Sequence, residues 1–271
     1  MDQRPIGVFD SGLGGLTAVR EMRRLMPSEN IIYFGDTSRV PYGGRSPEIL
    51  LKYARQDVHF LRSFDIKAVL VACGTVSTTA LPQLQAENDL PILGVVEPAC
   101  RKAAAMTRNR RVGLIATAAS VRSGAYERTL HRLDETIHVV SRACPLLVPL
   151  VENGRVRRGD VVIETVVREY LEPLRATGID TLILGCTHYP LLTDIIADVM
   201  GPGVTLVSSG EESAFELKRM LKASGLRADE DHRGETEFYV SDRAEDFERI
   251  ASLFLQEDLR HTARRIDIDQ Y

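Results

Sequence analysis

The sequence has no tryptophan, five lysines and four cysteines among 271 residues. Four cysteines without a C-x-x-C pair are too few for a disulfide-stapled scaffold, which excludes the small secreted disulfide proteins. No uninterrupted apolar run reaches the length of about 18 residues that a transmembrane helix needs. The first residues, Met1–Pro5, lead directly into an apolar run and lack signal-peptide anatomy. We therefore expect a cytoplasmic protein without a membrane partner.

The sequence lacks the motifs that are typical of several classes of ligand-binding protein. Net charge is −4 with no long basic run, so direct binding of nucleic acid is not expected. The glycines at 12, 14 and 15 do not form the spaced G-x-G-x-x-G pattern, and no Gly-Lys-Ser/Thr loop occurs. Four lysines fall at helical positions and Lys67 precedes a strand, so none suits a Schiff base with pyridoxal phosphate. We expect no cofactor and no metal.

Short apolar runs recur in the two halves of the chain in the same order. Corresponding runs are 106, 106, 113 and 112 residues apart, which is typical of a duplicated α/β unit. Because the runs are continuous, they predict parallel strands buried on both faces. The predicted strands are Ile6–Phe9, Ile31–Phe34, Val69–Val71 and Ile92–Val95, then Val112–Ile115, Ile137–Val140, Leu182–Leu184 and Val204–Val207.

Helical patterns fall between these runs. Ser46 followed by Pro47 is an N-cap with a first-turn proline. Further helices are predicted over 162–174, 191–199, 211–226 and 246–255. The fold class is therefore α/β, with two pseudosymmetric doubly wound parallel-sheet domains and an active site in the cleft between them. We place residues 1–97 plus 208–271 in the first domain and 98–207 in the second, with an intimate interface because no flexible linker separates them.

Two cysteines, Cys73 and Cys186, each follow a predicted strand and open a polar loop. Ligands of parallel sheets bind at the carboxyl ends of strands, which places both thiols at a candidate site. A helix N-terminus or a nearby cation readily converts a thiol into a thiolate. One ionised and one protonated thiol could remove a proton from one face of a carbon and deliver another opposite. The pair therefore predicts proton transfer at carbon.

Polar residues at the other strand ends are candidates for assisting roles. Asp10 and His188 could shift the protonation of the thiols. The hydroxyl residues could bind carboxylates together with loop amides at helix N-termini; they are Ser11, Thr75, Thr117 and Thr187.

Simpler interpretations remain open for several of these residues. Asp10 could cap the following helix, and the Pro41–Gly43 segment could be a turn. Cys186 and His188 could bind zinc, although alternate residues of an extended segment point apart and further ligands are missing. Cys100 and Cys144 are predicted to be buried small apolar residues without a role.

Several segments resemble the glutamate racemase family over nearly the whole chain. The Gly-Cys-Thr-His-Tyr-Pro-Leu-Leu segment from position 185 is a specific signature. The matching segments are Gly7–Leu16, Tyr33–Thr37, Pro41–Gly43, Pro149–Glu152, Leu184–Leu192 and Val207–Glu212. The resemblance implies a cofactor-independent racemase that makes D-glutamate for peptidoglycan, with two pseudosymmetric α/β domains. A homodimer is also expected.

The resemblance also implies roles for individual residues. Cys73 would act on the D-enantiomer and Cys186 on the L-enantiomer, assisted by Asp10, Glu152 and His188. Substrate would be bound by Asp10, Ser11, Pro41, Tyr42, Gly43, Gly74, Thr75, Thr117, Cys186, Thr187 and His188.

One position departs from the family pattern. The family usually has asparagine after the first catalytic cysteine, where this chain has Gly74. A lost charge-assisted hydrogen bond would weaken substrate binding by about 1.5–3 kcal/mol, so Gly74→Asn is expected to raise kcat/KM for glutamate by about tenfold or more. The altered pocket leaves open a sibling racemase for aspartate or another amino acid. A regulatory protein on the racemase scaffold also stays open, restraining DNA gyrase as some actinobacterial relatives do.

Overall fold

The computed structural model describes residues 2–259 and 262–271. Ten strands lie in this part of the chain, and every pair within the sheets is parallel. The strands are β1 Ile6–Asp10, β2 Ile31–Gly35, β3 Ala68–Val71, β4 Ile92–Gly94, β5 Arg111–Ala116, β6 His138–Ala143, β7 Thr181–Leu184, β8 Thr205–Ser208, β9 Thr236–Val240 and β10 Ala263–Arg265.

Twelve α-helices connect and cover these strands in the same described ranges. They are α1 Leu16–Leu25, α2 Pro47–Arg62, α3 Gly74–Thr79, α4 Leu81–Glu87, α5 Val96–Met106, α6 Ala118–Ser123, α7 Ala125–Leu133, α8 Leu147–Glu152, α9 Val161–Arg175, α10 Thr193–Met200, α11 Ser209–Ala223 and α12 Ala244–Leu255. Short 3₁₀ helices span Tyr42–Gly44, Tyr189–Leu192 and Ile268–Gln270.

The strand order repeats between the two sheets. The first sheet has the order β10-β9-β2-β1-β3-β4, and the second has β6-β5-β7-β8. The segment β2-β1-β3-β4 therefore corresponds strand for strand to β6-β5-β7-β8. All eight predicted strands are present, and the α/β class with two parallel sheets is confirmed. The duplication predicted from the spacing of apolar runs is therefore present in the structure, where both halves have the same strand order.

Apolar side chains cover both faces of each sheet. In β1, Val8 packs on the side of α1, α11 and α12, whereas Phe9 faces α2. In the second sheet, Leu182 faces α9 and α10, and Ile183 faces α5 and α7. One apolar cluster runs without interruption from Val8 of the first sheet to Leu182 of the second. The two halves therefore share part of their core, as the missing linker predicts.

Helix ends explain most differences from the predicted ranges. Ser46 caps α2 by accepting a hydrogen bond from the Ile49 N–H at 3.4 Å, as predicted. The helix expected over 191–199 begins at Thr193 because the preceding Tyr189–Leu192 segment is a 3₁₀ helix. The helix expected over 211–226 ends at Ala223. Gly225, two residues later, has φ +68°, a left-handed conformation in which the chain leaves the helix. Within residues 2–259 and 262–271, no helix has the length and apolar character that a membrane span requires.

Candidate active site

Both candidate thiols lie where a strand of one half meets the loops of the other. Cys73 lies between β3 and α3 and is the N-cap residue of α3. Cys186 lies two residues after the end of β7. Each side chain is buried. The carboxyl ends of equivalent strands β3 and β7 thus present the two thiols, as their position in the repeat predicts.

His188 links the second thiol to a carboxylate. Its Nδ1 lies 3.8 Å from the Cys186 Sγ, and its Nε2 lies 2.9 Å from Oε1 of Glu152 at the end of α8. Burial alone lowers the pKa of His188, but the contacts with Cys186 and Glu152 outweigh burial and raise it to about 10. The imidazole is therefore protonated at neutral pH and places a positive charge beside the Cys186 sulfur.

Cys73 has a different electrostatic environment. Its thiol donates to the Ser11 hydroxyl across 3.6 Å. Burial, with the nearby Asp10 carboxylate, raises the pKa of Cys73 to about 12, although contacts to Val76 and Ser11 oppose the shift. A protonated thiol is therefore the stable form of Cys73 at neutral pH, in contrast to the cation-paired sulfur of the other half.

Asp10 ends β1 between the two thiol loops. Its Oδ2 accepts the Gly12 N–H at 2.9 Å, and its Oδ1 accepts from the Thr187 hydroxyl at 3.5 Å. Helix α1 is capped by Gly15, so the interpretation of Asp10 as the helix cap is wrong. Burial raises the pKa of Asp10, although the charge of His188 and the N–H groups of Gly12 and Gly15 act against the shift.

Hydroxyl groups from the two halves meet on the other side of the thiols. The Thr75 Oγ1 in α3 lies 3.1 Å from the Thr117 Oγ1, which caps α6. Behind them, Thr78 donates to the Ser120 hydroxyl at 3.4 Å. Gly43 of the Tyr42–Gly44 helix stands against Thr117, because a Cβ placed on it would lie 3.5 Å from the Thr117 Cβ. These residues form a wall of hydroxyl groups where the two halves meet, and hydroxyl groups can donate hydrogen bonds to an anion.

The Tyr42 side chain is directed away from this wall. Its hydroxyl donates to buried Asp36 and, at 3.3 Å, to Asp57, while Arg39 bonds both carboxylates at 2.6 and 3.0 Å. Among the predicted binding residues, Tyr42 can therefore offer substrate its backbone but not its hydroxyl. Pro41 beside it is exposed.

Two residues that contact the second thiol loop carry no sequence signal of function. The Thr17 hydroxyl in α1 donates to the carbonyls of Gly14 and Thr187, each at 2.9 Å. The Phe254 ring in α12 packs edge-on against the His188 ring, with centroids 5.4 Å apart. A threonine and a phenylalanine on apolar helix faces look like ordinary core residues, so the repeat and the motifs could not single them out.

The segment containing Cys186 is not extended. His188 has helical backbone angles, φ −77° and ψ −29°, which turn its ring back towards the Cys186 sulfur. The expectation that these two side chains point apart is therefore wrong. No group of three or more histidine, cysteine or acidic side chains is arranged to hold a metal ion within the described ranges. Cys100 and Cys144 are buried elsewhere, and burial raises the pKa of both thiols.

The structure adds a condition to the expected effect of Gly74→Asn. A Cβ atom on Gly74 would lie 2.7 Å from the carbonyl oxygen of Gly185. An asparagine would have to push the backbone of the other half away before its amide could reach a substrate. The gain of about tenfold therefore depends on a shift of the Gly185 backbone, and it stays a prediction.

Comparisons with known proteins agree with this arrangement. The profile of the Asp/Glu/hydantoin racemase family matches residues 17–215. A glutamate racemase of Geobacter metallireducens is 45% identical over 255 residues, which make up 94% of each chain. The crystal structure of a glutamate racemase from Bacillus anthracis superimposes with a TM-score of 0.94 at 39% identity, covering 98% of both chains. The crystal structure of a glutamate racemase from Francisella tularensis in complex with D-glutamate superimposes with a TM-score of 0.91. It is 35% identical and covers the full length of both chains. The chain therefore belongs to the Asp/Glu/hydantoin racemase family and groups with its glutamate racemases.

Proposed function

We propose that this protein interconverts L- and D-glutamate without a cofactor, using Cys73 and Cys186 as its two bases. The observation that carries the proposal is the pair of buried strand-end thiols in opposite electrostatic environments. His188, with a pKa of about 10, supplies a positive charge 3.8 Å from Cys186, whereas the pKa of Cys73 is raised to about 12. One sulfur is set to accept a proton and the other to donate one.

The reaction follows from these protonation states. With L-glutamate bound, the Cys186 thiolate removes the Cα proton, and the Cys73 thiol delivers its own proton to the opposite face. The products are D-glutamate, a Cys186 thiol and a Cys73 thiolate; conversion of D-glutamate runs the same transfers in reverse. Asp10 and the His188–Glu152 pair adjust the charge around each sulfur, acting as assisting acids and bases.

The substrate carboxylates would be held by hydroxyls and backbone amides. Ser11, Thr75, Thr117 and Thr187 would supply hydroxyl groups, and α3, whose N-terminal amides can bind an anion, begins directly after Cys73. Gly43, Gly74 and the backbone of Tyr42 would add contacts, with Pro41 at the exposed edge. Together, these hydroxyl and amide groups would supply hydrogen-bond donors for both carboxylates of glutamate.

The product D-glutamate would serve peptidoglycan synthesis. We also propose a cytoplasmic homodimer in which residues 1–97 with 208–271 form one domain and 98–207 the other. Light scattering of the purified protein tests the dimer.

Circular dichroism of glutamate solutions tests the proposed reaction. Purified protein, treated exhaustively with EDTA and free of added pyridoxal phosphate, should carry L- or D-glutamate to the racemic mixture. Both aspartate enantiomers run in parallel as the matched control for substrate choice. Racemisation of aspartate but not glutamate would show a sibling enzyme, and activity that depends on added metal or pyridoxal phosphate would contradict the proposal.

A further inference from the structure

One glycine of the first half lies directly against the loop that carries the second thiol. Gly14 is buried in the segment between β1 and α1. A Cβ atom on it would lie 2.1 Å from the Thr187 Oγ1 and 2.5 Å from the His188 Nδ1. Real Cβ atoms essentially never approach other atoms this closely. The hydroxyl and the imidazole therefore occupy the place where a side chain at position 14 would begin.

Hydrogen bonds hold the Gly14 segment in place. The Tyr33 hydroxyl donates to the Gly12 carbonyl at 2.9 Å, and the Gly12 N–H donates to Asp10 at 2.9 Å. The Gly14 carbonyl accepts both the hydroxyl and the N–H of Thr17, at 2.9 and 3.0 Å. The segment cannot retreat from an added methyl group without breaking some of these bonds, so the second thiol loop would have to move instead.

The His188 ring is held on its other sides as well. Its Nδ1 lies 3.8 Å from the Cys186 Sγ, and its Nε2 lies 2.9 Å from the Glu152 Oε1. The Phe254 ring packs edge-on against it, and the charge of the imidazole acts on Asp10. A methyl group on the side of the glycine would therefore displace the ring from the two polar partners that it now bridges.

We propose that Gly14 is a positioning residue for His188: because it has no side chain, the imidazole can lie where its Nδ1 faces the Cys186 sulfur. The inference rests on the proposed two-thiol reaction, in which His188 assists at Cys186. It also gives a role to a glycine of the 12, 14 and 15 group, which matches no phosphate-binding pattern.

The variant Gly14→Ala tests the inference, with Gly203→Ala as its matched control. A Cβ on Gly203 would meet no atom within 4 Å. Neither glycine has φ in the left-handed region, so alanine adds a methyl group at both positions without backbone strain. Two quantities are measured: kcat for racemisation of glutamate, and the titration of His188 between pH 5 and 11 by NMR of histidine-labelled protein. The spectrum of His188→Gln identifies the resonance.

Gly14→Ala should lower kcat on the order of 10²-fold in both directions, because misplacement of a catalytic group by about 1 Å has this effect. The pKa of His188, about 10 in the wild type, should fall by at least about one unit, because the displaced ring loses the contacts with Cys186 and Glu152 that raise it. Gly203→Ala should match wild type in both measurements.

Two results would overturn the inference. One is racemisation by Gly14→Ala at the wild-type rate. The other is an unchanged titration of His188 in a folded Gly14→Ala, since a loss of activity would then arise elsewhere than at the imidazole. A loss of packing alone would lower stability without moving this titration.

Two further outcomes are also decisive. If Gly14→Ala does not fold by circular dichroism, the wild type is examined for a nuclear Overhauser contact between a Gly14 α-proton and the His188 ring. The contact is expected because the ring Cε1 lies 2.7 Å from the place of a Gly14 Cβ, and its absence would overturn the inference. A wild type that does not racemise glutamate refutes the proposed function, and the titration of His188 then decides the inference alone.

Discussion

At the scale of residues, His188 places a positive charge beside one of the two thiols, Cys186. Burial opposes its positive charge, yet contacts at both ring nitrogens hold its pKa at about 10. Because this pKa lies above the ordinary value of about 6.5, the protonated ring contributes stability that is complete below pH 6.5. That contribution is lost as pH rises through about 10. The same loss of charge would remove the cation beside Cys186.

Glu152→Gln should shift the alkaline limb of activity to lower pH. The substitution removes the negative charge 2.9 Å from the His188 Nε2, so the imidazolium should lose its proton more easily. Glu152 is 33% exposed, and solvent screening reduces the effect to roughly one pH unit. A kcat/KM profile between pH 6 and 11 measures the shift, with Glu216→Gln on α11 as the control. An alkaline limb that coincides with that of wild type would contradict this role.

Thr17→Val should weaken both folding and activity. The Thr187 carbonyl would lose its hydrogen bond from α1 inside the protein, at a cost of about 1–3 kcal/mol in the free energy of unfolding. Because Thr187 lies between Cys186 and His188, kcat should fall as this loop loosens.

Denaturant unfolding and steady-state kinetics check the Thr17 prediction. Thr17→Ser keeps the hydroxyl and should restore both values, and Thr165→Val, at an exposed position of α9, should change neither. If Thr17→Ser is as impaired as Thr17→Val, the lost methyl packing rather than the hydrogen bond is responsible.

Sequence reasoning placed the two thiols, and it did so through the repeat. Cys73 and Cys186 stand at equivalent strand ends in the structure, as the spacing of apolar runs requires. The sequence repeat does not predict which residues of the two halves contact each other. The Gly74–Gly185 contact and the Thr17–Thr187 bond join residues more than a hundred positions apart, and no local pattern encodes them. For this reason the sequence did not indicate that an asparagine at position 74 requires a shift of the Gly185 backbone.

At the scale of elements, strands with a continuous apolar run were predictable, and β9 and β10 were not. Each of the eight predicted strands contains an apolar run, which is typical of parallel sheets covered on both faces, although β4, β6 and β8 lie at sheet edges. By contrast, β9 has the sequence Thr-Glu-Phe-Tyr-Val, and β10 has three residues, of which two are arginine. Both extend the first sheet beyond β2. Their polar and charged residues hid both strands from a search for apolar runs.

Helix α12 supports the site through Phe254, which is fully buried against His188. Phe254→Ala should lower the free energy of unfolding by about 3–5 kcal/mol, and Tm by roughly 10 °C. It should also lower kcat, because the His188 ring loses its packing partner. Calorimetry and kinetics measure both effects. Phe215→Ala removes a ring that is 44% exposed and is the control; an equally small effect at both positions would contradict the prediction.

At the scale of the whole molecule, the site exists only because the two halves are joined. The Asp10, Ser11 and Cys73 loops come from the first sheet, and the Thr117 and Cys186 loops come from the second. The apolar cluster that continues between the sheets brings these loops together. Duplication of one α/β unit thus explains how one chain brings two loops with strand-end thiols together, as the proposed two-thiol reaction requires.

The most direct test of the two-thiol reaction is racemisation of glutamate in D₂O by Cys73→Ser and Cys186→Ser. Wild type should place solvent deuterium at Cα of the product enantiomer, and Cys100→Ser, once its fold is verified, should do the same. Each active-site serine variant should lose racemisation in both directions, since serine forms an alkoxide far less readily than cysteine forms a thiolate. Near-normal racemisation by either Cys73→Ser or Cys186→Ser would contradict the two-thiol mechanism.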